Sequence, residues 1–259
     1  MSSKTFGLAL SGGGARGIYH IGVLKALEEK GIHPDCISGT SAGALIGVLY
    51  ASGLSADEIY HIASGTKWFK FLKPSIPSGG LIGMDYLSEI LNAYLPVDSF
   101  EALRIPCWVT ACNITKGVLE IFNKGPVVKP VLASCSVPML FRPVNINDDF
   151  YLDGGILMNL PASIIRKDCK VLMGVSLTPI LKLPNQQLNS SMKILTRVLE
   201  LNVNNNSIRQ KEICDVLIES EEIAGISKYH LGDYELLYKL GYESAISNIE
   251  KNPVLLQLI

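Results

Sequence analysis

Residues 36–49 read CISGTSAGALIGVL. A short apolar run, Cys36-Ile37, meets Gly39-Thr40-Ser41-Ala42-Gly43, and a helical pattern follows at once. This is strand, tight turn, helix, with a serine at the apex. Such a turn is strained, and the chain passes only if the residues beside the serine are small, as Gly39, Ala42 and Gly43 are. Ser41 Oγ then stands at a helix N-terminus, where free N–H groups and the positive end of the dipole favour a developing negative charge. By composition, such a pentapeptide arises about once in ten chains of this length. Taken alone it equally describes a glycine-rich turn with a serine N-cap, so the rest of the chain must decide.

The 259 residues are 48% hydrophobic and 18% charged, an ordinary globular composition that can bury a sizeable core. A net charge of −1 makes no electrostatic case for nucleic acid or for strong attraction to anionic membranes. Six cysteines (36, 107, 112, 135, 169, 214) lie singly in apolar runs without C-x-x-C spacing. They read as buried thiols in a reducing compartment. One lysine precedes the first strand, without a secretory pattern, and no apolar run approaches membrane-spanning length. The expected location is therefore cytoplasmic.

Upstream of the elbow, Thr5–Ser11 reads as a buried strand, followed by Gly12-Gly13-Gly14-Ala15-Arg16-Gly17. Ile18, Ile21, Leu24 and Leu27 then recur at helical spacing until Gly31. With the strand Asp35–Ser38 this forms a βαβ unit with parallel strands. Glycine loop and elbow therefore share one sheet edge, the edge where open α/β sheets bind ligands. The loop formally matches a dinucleotide fingerprint, but the acid expected at the far end of the second strand is replaced by Gly39-Thr40-Ser41. No G-K-[ST] follows, which excludes a P-loop. A structural turn remains open, as does an oxyanion hole built from the bare amides of Gly12, Gly13, Gly14 and Ala15. Arg16 orients this loop or a phosphate, or else makes a surface ion pair.

Further along, Ser55–Ser64 reads as a helix with a Ser55/Glu58 capping box. Trp68–Leu72 (WFKFL) reads as a core helix or a lipid-facing segment, Pro74–Gly83 as a loop or flap, and Asp85–Leu95 as an amphipathic helix. Pro106–Asn113 and Val118–Phe122 read as strands, Pro130–Ser136 as a helix, and Phe150–Leu152 as a strand running into Asp153-Gly154-Gly155. Asn159-Leu160-Pro161 has the form of a helix N-cap. Val171–Leu177 and Asp215–Ile218 read as strands. Ser191–Val203 and Asp233–Ile249 read as helices, the latter with Gly241 as a weak point.

An activated serine needs a base. Of the four histidines, only His230 follows Asp153 in the Ser…Asp…His order of an α/β-hydrolase triad, and it stands alone in a polar stretch. Asp153 ends a strand at a glycine turn, so its carboxylate emerges at a sheet edge; the same residues also describe a common Asp-Gly turn. A free aspartate, near pKa 3.9, is a weak base, so a Ser-Asp pair requires partial desolvation of Asp153.

GGGARG at 12–17, GTSAG at 39–43 and DGG at 153–155 resemble, in that order, the motifs of the patatin-like phospholipase family. ASCSVPMLFRPV at 133–144 and Asn159-Leu160-Pro161 resemble its intervening and following blocks. The likeness runs from Phe6 to the strand before Ile180. It implies one domain over residues 1–259, a three-layer α/β/α sandwich with a mainly parallel central sheet. It also implies a serine lipid acyl hydrolase with Ser41 as nucleophile, Asp153 as base and the amides of Gly12–Ala15 as oxyanion hole. Arg16, Gly17, Gly39, Gly43, Gly154 and Gly155 support these motifs. No cofactor and no metal are implied; the partners implied are a lipid or small ester and, transiently, a membrane surface. The alternatives are a dinucleotide-binding protein using Gly12–Gly17, or a catalytically idle scaffold.

Overall fold

A computed structural model of the chain describes residues 6–65, 84–184, 186, 188–227 and 232–258. Its centre is the strand β1 (Phe6–Leu10), buried along its whole length. β1 pairs in parallel with β2 (Cys36–Thr40) on one side and β7 (Val171–Ser176) on the other. β2 pairs in parallel with β3 (Cys107–Asn113), and β7 with β8 (Val216–Glu219). Beyond β3 the sheet turns antiparallel: β3 pairs with β4 (Val118–Phe122) and with β6 (Asp149–Asp153), and β6 with β5 (Val144–Ile146). The spatial order is β5-β6-β3-β2-β1-β7-β8, with β4 off this path on β3. The sheet is thus mixed, parallel at its centre and antiparallel at one end; the sequence reading missed β5.

The two faces of the sheet are unequal. Phe6, Leu8 and Leu10 point into the larger core with Met173 and Val175; α1 (Ile18–Glu29) and α2 (Ala42–Ala51) line that side. Ala9, Cys36 and Leu172 point the other way, into a thinner layer under α6 (Ala162–Ile165). Helices therefore flank both faces. α3 (Ala56–Ser64) carries the expected capping box, with Ser55 Oγ accepting from Glu58 N and the Glu58 carboxylate accepting from Ser55 N. α4 (Asp85–Tyr94) and α5 (Val128–Cys135) follow, the latter beginning two residues earlier than expected because Asp98 Oδ1 accepts from the N–H groups of Val127 and Val128.

Several expectations are corrected. Ser191–Val203 is only the first part of α7, which runs from Ser191 to Glu212. Gly241 is no weak point in α8 (Tyr234–Lys251). It faces Gly22 of α1, where the helices cross so closely that a Cβ at Gly241 would strike the Tyr19 carbonyl, and one at Gly22 the Tyr238 carbonyl. Asn159 does not cap a helix: α6 begins at Ala162, with no side-chain cap, and Asn159 turns inward. α9 (Pro253–Leu256) closes the described chain, with Asn252 as its side-chain cap. WFKFL at 68–72, the segment 74–83 and His230 lie outside the described residues.

Candidate active site

Ser41 sits between β2 and α2 with φ 53° and ψ −123°. A non-glycine residue rarely occupies this region, and it costs about 1–3 kcal/mol. The strain holds because the elbow is jammed from below. A Cβ at Gly43 would collide with the carbonyls of Leu10 and Ser11, and one at Gly39 with Gly43. Glycine at these two positions lets α2 settle onto the end of β1 and forces the serine upward. The elbow is also bonded in place: Ser41 N–H donates to Ser134 Oγ at 2.8 Å, and the Ser41 carbonyl accepts from Leu45 N–H at 3.1 Å.

Asp153 arrives from the antiparallel side. It is the last residue of β6, paired opposite Ala111 of β3, and its N–H donates to the Ser136 carbonyl at 2.9 Å. The end of α5 therefore ties both halves of the site, through Ser134 to the elbow and through Ser136 to Asp153. The Asp153 carboxylate accepts from Gly155 N–H at 2.8 Å, and the Ser41 side chain is near enough to favour its charged form. Burial pushes its pKa up to about 6, against the downward pull of the Ser41 side chain and of the Gly155 N–H bond. The desolvation that a Ser-Asp pair requires is therefore present at this position.

The glycine loop lies against the serine: a Cβ on Gly12 would stand 3.1 Å from Ser41 Cβ. One expected donor is corrected here. Gly12 N–H donates to the Asn159 carbonyl at 3.1 Å and is not free. The N–H groups of Gly13, Gly14 and Ala15 have no acceptor among the described residues. Gly14 has φ 58° and opens a 3₁₀ turn over Gly14–Gly17.

Arg16 is buried rather than on the surface. Its guanidinium donates to the carbonyls of Leu177 (3.1 Å), Ala224 (3.0 Å) and Ile226 (2.6 and 2.8 Å). It thus pins the glycine loop to the segments after β7 and β8. Beneath the loop, buried His20 bonds the Ser11 carbonyl at 2.8 Å; burial lowers its pKa to about 4, so the ring is neutral and donates.

Sequence reasoning missed the asparagines. Asn159 inserts its side chain between Gly12 and Gly155, where a Cβ on either would meet its Oδ1 at 2.5 and 2.9 Å. Asn206 on α7 grips the same turn from outside. Its Nδ2 donates to the Gly155 carbonyl at 2.9 Å, and its Oδ1 accepts from Asn159 N–H at 2.9 Å. Asn202 Nδ2 donates to the Ile156 carbonyl at 2.7 Å. The available signal was the run Asn202-Val203-Asn204-Asn205-Asn206, whose residues are poor helix formers, inside a helix.

All six cysteines are free thiols, four buried and two partly so. Among the described residues no group of three His, Cys, Asp or Glu side chains is placed to hold a metal ion. No helix among them is long and apolar enough to cross a membrane.

A strained serine elbow at the edge of a mixed α/β sheet, beside a buried carboxylate, marks a serine-elbow α/β protein. More narrowly, the chain belongs to the patatin-like phospholipase family, whose model matches residues 8–165. It is 33% identical over 183 residues to lysophospholipase NTE1 of Kluyveromyces lactis, covering 68% of this chain and 13% of that protein. An uncharacterized NTE family protein of Mycobacterium bovis is 34% identical over 167 residues, covering 63% of this chain and 46% of that one. The chain thus spans less than half the length of these curated relatives. Among solved structures, VipD of Legionella pneumophila superposes with a TM-score of 0.64 at 17% identity, covering 95% of this chain and 67% of that one. Human group IVD cytosolic phospholipase A2 superposes at 0.52 with 13% identity, covering 98% and 59%.

Proposed function

We propose that this chain is one catalytic domain that hydrolyses carboxylic esters of lipids through an acyl-enzyme on Ser41, with Asp153 as the base. The observation that carries the reading is the strained Ser41 elbow set beside a carboxylate whose burial raises its pKa to about 6. A base so tuned accepts a proton far more readily than an ordinary aspartate and is still ionised at neutral pH.

In this reading Ser41 Oγ attacks the ester carbonyl carbon as its proton passes to Asp153. The carbonyl oxygen becomes an oxyanion facing the free amides of Gly13, Gly14 and Ala15, each such donor contributing about 2.7–4 kcal/mol of transition-state stabilisation. Collapse breaks the ester C–O bond, and Asp153 returns the proton to the leaving alcohol. Water then attacks the acyl-serine, giving one proton to Asp153 and leaving as part of the carboxylic acid. Asp153 finally returns that proton to Ser41 Oγ. Gly12 and Arg16 hold the amide loop and take no part in the proton transfers.

The yeast relative bears the name lysophospholipase, so a lysophospholipid is the first substrate to try. Contact with a membrane surface is part of the proposal, because long-chain esters reside there, and the free cysteines support a cytoplasmic setting. The test is labelling by a fluorophosphonate, mapped by mass spectrometry. An adduct on Ser41 that forms much more slowly in Asp153→Asn supports the proposal. A folded protein that takes no label points to a binding scaffold instead.

A further inference from the structure

α7 has only Ser207 fully buried along its 22 residues. Its first two turns are unusual in what they expose: Met192 is 60% exposed, Ile194 48%, Leu195 45% and Val198 53%. A helix advances 100° per residue, which places these four side chains on an arc of roughly 160°. A two-helix seam is a narrow stripe of a and d positions; an arc this wide suits a helix lying in a lipid interface.

Charge selects the partner. From Ser176 to Leu199 the sequence holds Lys182, Lys193 and Arg197 and no acidic residue, although the whole chain carries net −1. Arg197 is shared with Glu200 at 3.3 Å; the exposed Lys182 and Lys193 make no ion pair among the described residues. Lys193 and Arg197 follow directly on the apolar arc, where lysine and arginine stems lie along an acyl boundary with their charges at the headgroups. The same helix reaches the site. Asn206, roughly 16 Å along the axis from Leu195, holds the turn that follows Asp153.

We infer that the first two turns of α7, with Lys182 and Lys193, dock the protein on an anionic phospholipid surface and so set the Ser41–Asp153 site against the bilayer. The choice of a lipid partner rests on the functional reading above.

The test uses the full chain and sucrose-loaded vesicles of phosphatidylcholine, with and without 30% phosphatidylserine (roughly a plasma-membrane-like surface charge). Wild type is expected to sediment with the serine-lipid vesicles and to be released by salt. Met192→Ser, Leu195→Ser and Val198→Ser together are expected to weaken binding by at least about tenfold. Lys182→Gln with Lys193→Gln is expected to weaken it roughly thirtyfold on anionic vesicles only. Turnover of p-nitrophenyl butyrate, which needs no docking, stays within about twofold in both variants and reports that they are folded. The inference is overturned if wild type stays in the supernatant. It is equally overturned if the triple variant binds like wild type, or if that variant converts a dimer to a monomer while vesicle binding is unchanged. If wild type leaves p-nitrophenyl butyrate intact but sedimentation follows the expected pattern, the hydrolase reading falls and the docking surface stands.

Discussion

Replacing Asp153 with asparagine separates what this residue does for chemistry from what it costs the fold. Its carboxyl has a pKa of about 6 in the native protein, against 3.8 for an ordinary aspartate. Above pH 6 the group is ionised in both folded and unfolded chains, and the folded state bears the full penalty. The difference of about 2 pKa units corresponds to about 3 kcal/mol. As pH falls from 6 to 3.8, the folded state takes up the proton first and the penalty fades; below 3.8 it is gone. Asparagine keeps an acceptor for Gly155 N–H and carries no charge. Asp153→Asn should therefore be more stable than wild type by up to about 3 kcal/mol at pH 8, equivalent to roughly 6–12 °C in melting temperature. The advantage should vanish near pH 4. Thermal melts of both proteins from pH 4 to 8 measure it, beside kcat/KM on a soluble ester. Wild-type kcat/KM should fall tenfold per pH unit below about 6, and the variant should lose at least about 10³-fold at about pH 7–8, with the gap narrowing on the acid limb. A variant less stable than wild type at pH 8, or a stability difference that ignores pH, would refute the claim that Asp153 is held above its ordinary pKa by burial.

Other substitutions probe the supports of the site. Asn206→Asp keeps the acceptor for Asn159 N–H but sets a carboxylate oxygen against the Gly155 carbonyl. It should lower kcat more than it raises KM and shift the acid limb of the pH profile, with Asn206→Gln recovering part of the loss; steady-state kinetics across pH decide. Arg16→Lys replaces a planar fork bonded to three carbonyl groups with a point charge, and should cost about 2–3 kcal/mol in urea denaturation. Gly241→Ala raises helix propensity by about 1 kcal/mol, yet should destabilise by about 1–3 kcal/mol because its Cβ meets the Tyr19 carbonyl; a stabilised variant would mean that α1 and α8 separate readily. Ser41→Gly removes the proposed nucleophile and relieves φ 53°, so melts should show a gain of about 1 kcal/mol beside complete loss of ester turnover.

Features with local demands are legible in the sequence alone. The serine elbow was legible because its demands fall on immediate neighbours: Gly39, Ala42 and Gly43 must be small for the turn to close. The Ser55/Glu58 box spans four residues and was equally plain, as was the βαβ unit from strand and helix periodicity. The tertiary structure decided what depends on partners far along the chain. Arg16 finds its carbonyls more than 160 residues away, and nothing beside it in sequence distinguishes such a role from a surface ion pair. Gly12 stands among the oxyanion donors by sequence, yet in the fold the Asn159 carbonyl occupies its N–H. Gly241 was read as a flaw on helix propensity alone; its reason is a helix crossing with Gly22, 219 positions earlier by subtraction. The pKa of Asp153 is likewise a sum over everything packed around it. Propensity and turn chemistry act over a few bonds, whereas desolvation and backbone carbonyl geometry exist only once the chain has folded.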